Sequence, residues 1–384
     1  MRITFVLPTV GMSGGIRVAV IHARALASQG HAVTLVSPPP RAVAFPDKVK
    51  SLLKGNGWPR ELARDASYLD GSGLDHRVLE RWRPVTNADV PDADIVIATW
   101  WETAEWVSAL RAQKGAQVYL IQHHEVFPPL PLARCQATYR LPMHKIVIAR
   151  WLQEVMHSQY GDAVVDLVPN SVDRAQFFSA VRGKQPVATV GFLYATAAFK
   201  GLDVALAALR EVRKRVPDLR LISFGTERPG AALPLPEGAE FSFCPPQDEI
   251  RQLYSQCDVW LTASRSEGFN LPAMEAMACR TPVVSTRTGW PEEAIETGKN
   301  GVLAGIDDVA GLARGVEWVL SLAGDEWRKL SQGAYATASA GSWEESSRRF
   351  ESALIRACGR ARRGEIAGPC ESQRETVEER AHAG

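Results

Sequence analysis

The sequence predicts an α/β protein of two doubly wound, Rossmann-like domains, and three observations carry that expectation. The chain has 384 residues, more than one hydrophobic core usually organises. Short apolar runs alternate with longer helical stretches, the pattern of parallel sheets covered by helices. The pattern occurs in two sets, divided by a polar, helix-poor joint at residues 181–186.

In the first set, residues 3–7 form an expected strand, Gly11-Met12-Ser13-Gly14-Gly15 a tight loop, 16–28 a helix ending at Gly30, and 32–36 the next strand. Further strands are expected at 95–99, 118–122, 145–149 and 165–168. The ends of such strands are where open α/β sheets bind ligands. In the second set, strands at 187–192, 219–224, 240–243, 258–262 and 282–285 interleave with helices at 202–215, 248–256 and 272–278. Helices follow at 309–322 and 326–338, and then Ser342 with Glu345 three residues on makes a capping box that opens a last helix to about Ala357. The expected partition is 1–180, 181–341, a crossover helix at 342–358 returning to the first domain, and a disordered tail at 359–384. Residues 38–91 follow no period, because Pro, Gly and charge interrupt them. Lys48, Lys50, Lys54 and Arg60 make that stretch locally basic, and a solvated helix is favoured there over an acceptor or membrane contact.

Composition excludes several classes. Apolar residues at 46% and charged residues at 23% describe an ordinary folding chain. A net charge of +1 supplies no broad basic field, so nucleic acid is not an expected partner. The six cysteines contain no CxxC pair, which argues against a zinc knuckle or a disulfide framework. The opening residues are too short an apolar run for a signal peptide, and no apolar run reaches the roughly 18 residues that a membrane span needs. The expected setting is cytoplasmic, with peripheral contact at the inner membrane face as the membrane option, and the oligomeric state is left open.

The most specific motif is Ser264-Arg265-Ser266-Glu267-Gly268-Phe269-Asn270-Leu271-Pro272-Ala273-Met274-Glu275, with two glutamates eight positions apart around a strand-to-helix turn. Asn270 can cap that helix and Pro272 can occupy its first turn. The turn aims the backbone N–H groups of Gly268, Phe269, Asn270 and Leu271 at the space above the sheet, where an anionic diphosphate gains from free donors and from the helix dipole. Glu275 can accept from ribose hydroxyls, and Glu267 can hold a sugar hydroxyl.

The segment resembles the ExxxxxxxE motif of retaining glycosyltransferase family 4, a GT-B family in which two Rossmann-like domains face a cleft. The resemblance implies donor-sugar contact for Glu267, ribose contact for Glu275, and diphosphate contact for the intervening backbone of Phe269, Asn270 and Leu271. Gly14-Gly15-Ile16-Arg17-Val18 is similar to the family's glycine loop, Val168-Pro169-Asn170-Ser171-Val172-Asp173 to its PNGVD turn, and Gly289-Trp290-Pro291-Glu292 to its GGxPE turn. Lys200 stands where the family carries a diphosphate-neutralising lysine, whereas Phe192 replaces the usual paired arginine. Arg265, Tyr194 or the amides of Gly14 and Gly15 are the candidates to make up that charge.

On the first domain, the resemblance implies a histidine or acid beside the reacting sugar, which makes His123 the expected residue with His124 and Glu125 as second choices; His124, Glu125 and either Trp100 or Trp101 are the expected acceptor contacts. Asp92-Ala93-Asp94 looks like a DxD metal motif but precedes a strand, and is read as a turn. No metal and no cofactor are expected; a nucleotide-diphosphate sugar is the substrate, and the partner is a glycan or lipid-linked acceptor. The lengthened loop before Lys200 and the Gln-His-His-Glu strand end resemble members that handle deoxysugars such as rhamnose. Two other readings stay open: a nucleotide-sugar epimerase of the same fold, and a non-catalytic nucleotide-sugar-binding protein.

Overall fold

A computed structural model describes residues 1–41 and 67–369. The basic cluster Lys48, Lys50, Lys54 and Arg60 lies outside the described residues. The chain forms two compact units, one of residues 1–148, 152–168 and 347 onward, the other of 149–151 and 169–346.

The first unit holds a seven-stranded parallel sheet. Its strands are β1 (Arg2–Val6), β2 (Ala32–Ser37), β3 (Asp75–Val78), β4 (Ile95–Ala98), β5 (Ala116–Ile121), β6 (His144–Val147) and β7 (Val165–Leu167), in the order β3-β2-β1-β4-β5-β6-β7. Residues of β4, β5 and β6 are buried throughout, because helices cover both faces; β4 is wholly apolar, while Gln117 of β5 and His144 and Lys145 of β6 are buried polar groups. The helix Gly14–Ser28 buries Ile16, Val18, Ala19, Val20, Ala23 and Leu26, and the Ser13 hydroxyl accepts from the Ile16 N–H at its start. Strand β3 is largely exposed at the sheet edge, so no apolar alternation marks it in the sequence.

The second unit holds a six-stranded parallel sheet. Its strands are β8 (Thr189–Leu193), β9 (Arg220–Gly225), β10 (Glu240–Phe243), β11 (Val259–Thr262), β12 (Val283–Thr286) and β13 (Gly301–Ala304), in the order β10-β9-β8-β11-β12-β13. Its core packs β8, β11 and β12 against the helices Leu202–Arg215 and Val309–Ser321, with Trp327 fully enclosed. In both sheets the chain order reverses beside the first strand, at β1/β4 and at β8/β11, which are the switch points where such sheets take ligands.

Three expectations about organisation need correction. The contact boundary falls at Pro169 rather than at residue 181, because residues 169–180 already pack on the second unit: the Gln176 side chain donates to the Gln247 carbonyl at 3.1 Å, and Phe177 is buried against Tyr254. The last helix runs Trp343–Arg362, and residues 347 onward pack with the first unit. Residues 359–369 are ordered rather than a loose tail. Ile366 is buried, the Ala367 N–H donates to the Pro142 carbonyl, and the Ala367 carbonyl accepts from the Gln117 N–H. The Asp92-Ala93-Asp94 triplet is irregular backbone leading into β4: Asp92 pairs with Lys114 at 2.8 Å and Asp94 accepts from the Arg2 N–H at 2.7 Å.

Candidate functional site

In the second unit, the strand β11 runs straight into the glutamate motif. Asn270 takes a left-handed conformation at φ 78°, and its side chain accepts from the Ala273 N–H while donating to the Thr262 hydroxyl at 3.0 Å. Pro272 sits in the first turn of the helix Leu271–Ala278, where no N–H is needed. Among the described residues, the N–H groups of Gly268, Phe269, Asn270 and Leu271 have no acceptor. These donors lie at a helix N-terminus, the arrangement that binds anions.

Glu267 is buried at 7% exposure, and its carboxylate accepts from Lys200 Nζ at 2.8 and 3.0 Å and from the Ser264 hydroxyl at 2.7 Å. Lys200 closes a short 3-10 turn, Ala198–Lys200, and the next residue, Gly201, takes φ +61°. A Cβ on Gly201 would lie 2.0 Å from the Ala263 carbonyl oxygen, so only glycine lets this loop approach the end of β11. That close approach is what sets Lys200 against Glu267. Glu275 is also buried, and accepts from the Tyr254 hydroxyl at 2.9 Å.

Arg265, expected on the diphosphate, is instead engaged locally. Its guanidinium bridges Asp203 at 2.7 and 2.9 Å and Asp307 at 2.7 Å, and also donates to the Ala198 carbonyl. The hydrogen bonds to Asp203 raise its pKa and lower that of Asp203, as in a committed ion pair. Phe192 is part of the core, so its position carries no side chain toward solvent. The Tyr194 hydroxyl donates to the Leu233 carbonyl and accepts from the Gly230 N–H, which takes it out of the same role.

In the first unit, Gly14 and Gly15 open the helix after β1, and Gln122, just past β5, donates to the Gly15 carbonyl at 3.1 Å. A Cβ on Gly15 would already touch the Gln122 side chain, at 3.4 Å. His123 is half-buried, its Nδ1 within 3.0 Å of the His124 carbonyl and its ring edge-on to Phe127. His124 Nε2 meets the Tyr160 hydroxyl at 2.8 Å, and burial, with a smaller effect of the neighbouring His123, lowers its pKa to about 4.

Two acceptor contacts expected from the sequence are corrected by burial. Glu125 is 1% exposed, enclosed by Tyr119 and Tyr139, and accepts from the Trp101 N–H at 2.8 Å and the Tyr119 hydroxyl at 3.3 Å. Desolvation raises its pKa well above the ordinary carboxyl value. Trp101 is 5% exposed and lies under the Arg134 guanidinium, 4.9 Å from the ring centroid, whereas Trp100 is the more exposed of the pair. Both residues secure the strand end rather than offer a surface.

Residues 184–321 match the family model described as Glycosyl transferases group 1. The chain is similar to that family over this stretch. The matched region holds Lys200, Glu267 and Glu275, and lies wholly within the second unit. A D-inositol 3-phosphate glycosyltransferase of Mycobacterium tuberculosis is 31% identical over 194 residues, covering 46% of this chain and 39% of that protein. The chain therefore spans well under half the length of the curated relatives it matches. A sucrose-phosphate synthase from Thermosynechococcus elongatus superposes with TM-score 0.71 at 15% identity, over 94% of this chain and 100% of that one. The Anabaena HepE protein, solved in complex with UDP-glucose, gives TM-score 0.69 at 17% identity, over 93% of this chain and 100% of that one. These likenesses show the fold alone, a GT-B fold. No described helix is long and apolar enough to cross a membrane.

Some residues around the glutamate turn were not legible as such. Ser264 and Tyr254 hold the two glutamates, yet a lone serine or tyrosine carries no spacing signal. Trp151 donates from its indole to the Gly268 carbonyl, 117 positions away, and nothing in the local sequence marks that partner.

Proposed function

We propose that this chain is a retaining, metal-independent glycosyltransferase that takes a sugar from a nucleotide-diphosphate donor. Its acceptor is a glycan, a lipid-linked saccharide or a small molecule, in the synthesis of cell-surface polysaccharide or glycoconjugates. The carrying observation is a cation held on a buried carboxylate beside a turn of unclaimed amides: Lys200 on Glu267, next to Gly268 through Leu271.

The donor diphosphate takes the amides of the turn and draws on the Lys200 ammonium, which carries the charge work that a divalent ion does elsewhere. As Lys200 turns toward phosphate, Glu267 becomes available to a hydroxyl of the donor sugar. Glu275 accepts from the ribose hydroxyls. When the sugar–phosphate bond breaks, negative charge grows on the leaving oxygen, and the same donors hold it more tightly than in the ground state. With no carboxylate nucleophile among the proposed sugar contacts other than the Lys200-paired Glu267, the reading takes a same-face substitution in which the donor phosphate receives the acceptor proton. His123 orients the sugar. The group 1 match, the glycosyltransferase relatives and a fold neighbour holding UDP-glucose support the donor class.

The test is a panel of nucleotide sugars with uridine, guanosine, adenosine and thymidine diphosphate leaving groups, each with and without glycan acceptors. Acceptor-dependent release of nucleoside diphosphate, with the α or β configuration kept in the product, supports the reading. Acceptor-independent conversion of one nucleotide sugar into its epimer replaces it with the epimerase reading, and binding without turnover replaces it with a sensor.

A further inference from the structure

Among the described residues the amides of the glutamate turn meet no acceptor, whereas the Gly268 and Phe269 carbonyls are both engaged. The Gly268 carbonyl accepts from the Trp151 indole N–H at 3.0 Å, and the Phe269 carbonyl accepts from the Trp290 backbone N–H at 2.8 Å. A trans peptide sets its C=O and N–H in opposite directions. Fixing the Gly268 carbonyl therefore fixes the Phe269 N–H on the far side, and fixing the Phe269 carbonyl does the same for the Asn270 N–H.

Both donors are anchored on one short helix, Trp290–Ala294. Trp290 opens it and stacks its ring on Phe269, with centroids 5.8 Å apart. Glu293, one turn on, accepts from the Trp151 backbone N–H at 2.8 Å and so fixes the segment that carries the indole. Gly289, ahead of this helix, takes φ +61°, and a Cβ there would lie 2.8 Å from the Phe269 carbonyl oxygen and 2.9 Å from the Glu267 Cβ. Each pinned carbonyl sets the N–H of its own peptide on the opposite side, so two consecutive amides, those of Phe269 and Asn270, are held in place as a backbone anion nest requires.

We infer that Trp151 is a positioning residue for the diphosphate: its indole holds the 268–269 peptide so that the Phe269 and Asn270 amides point together at the phosphate oxygens. The inference rests on the donor-site reading given above and adds to it a residue outside the glutamate motif. Gly268 is the least constrained residue of the turn, so without the indole its peptide is free to rotate. If the aimed orientation falls to about a tenth of the population, the dissociation constant for diphosphate rises about tenfold.

The probe is inorganic pyrophosphate, which is independent of the base, titrated by NMR into the full chain, with uridine diphosphate as a second ligand. Trp151→Phe keeps an aromatic body without the donor, and Trp151→His returns a ring N–H. The expected result is an approximately tenfold weaker pyrophosphate affinity in Trp151→Phe and recovery in Trp151→His, with uridine, which has no phosphate, bound equally by both. Equal pyrophosphate affinity in Trp151→Phe and the wild type overturns the inference and leaves the donor site standing. A wild type that binds neither pyrophosphate nor any nucleoside diphosphate overturns the donor site itself. If Trp151→Phe does not fold, the wild type decides alone. A slowly exchanging Trp151 indole proton, with Phe269 and Asn270 amide shifts on adding pyrophosphate, supports the role; an indole proton that exchanges as freely as an exposed one refutes it.

Discussion

Replacing Lys200 with methionine removes the ammonium while keeping a chain of similar length. In the free protein, Lys200 Nζ lies 2.8 Å from the Glu267 carboxylate, and at an effective dielectric of about 20 their direct attraction is about 6 kcal/mol before hydration is counted. Most of that is offset by the cost of burying the two charges, since the Glu267 side chain is 8% exposed and Lys200 27%. In the variant, Glu267 keeps the Ser264 hydroxyl but loses its cation, so a net stability loss of about 1–3 kcal/mol is expected, or a fall of about 2–10 °C in the melting of this unit. The catalytic loss is larger. Removing one donor that faces charge developing in a transition state costs about 2.7–4 kcal/mol, so kcat is expected to drop by about 10²–10³. The assay follows nucleoside diphosphate released from the active nucleotide sugar, alongside thermal unfolding with and without that diphosphate. A variant that melts earlier but turns over within about threefold of the wild type would show that Lys200 only stabilises the fold, and the reasoning would fail.

Three further outcomes follow from the geometry. Glu275→Ala removes the acceptor of the Tyr254 hydroxyl and is expected to weaken nucleoside diphosphate binding by about 10-fold while leaving pyrophosphate affinity unchanged, read by calorimetry; equal losses for both ligands would deny a ribose contact. Gly201→Ala puts a Cβ 2.0 Å from the Ala263 carbonyl at φ +61°, and is expected to cost about 2–4 kcal/mol in urea unfolding, with less than 1 kcal/mol refuting the close approach. Burial raises the Glu125 pKa in the fold above its unfolded value, so the fold binds this proton more tightly: the stability it contributes is full below the unfolded pKa and is lost as pH rises through the folded one. Glu125→Gln should flatten that decline and unfold later than the wild type at alkaline pH, and parallel pH profiles for the two proteins would count against the burial argument.

Much of the architecture is legible because parallel sheets bury both faces, which turns central strands such as β1, β4 and β5 into largely apolar runs. The edge strands β3 and β13 were not expected: β3 is exposed and leaves no such run, and β13 carries only Val302 and Leu303 between a glycine and an alanine. The glutamate turn was legible for a different reason. Asn270, Pro272 and the eight-residue spacing are local, and a strand-to-helix turn is decided within a dozen residues. The ends of the chain segments were read less well: the expected tail past Gly359 carries Ile366 and Ala367 against the first sheet, contacts that no local composition announces.

The sequence by itself determined two α/β units, the turn that aims amides outward, and the presence of Lys200, Glu267 and Glu275, because each depends on neighbours within a few turns of chain. The tertiary structure alone decided which charges remain available. Asp203 and Asp307 claim Arg265, tyrosines enclose Glu125, and Trp151 reaches Gly268 across 117 positions. Hydrogen bonds and ion pairs act over about 3 Å in space without regard to distance along the chain, so the fate of a long polar side chain is fixed only when the folded chain brings its partners within reach.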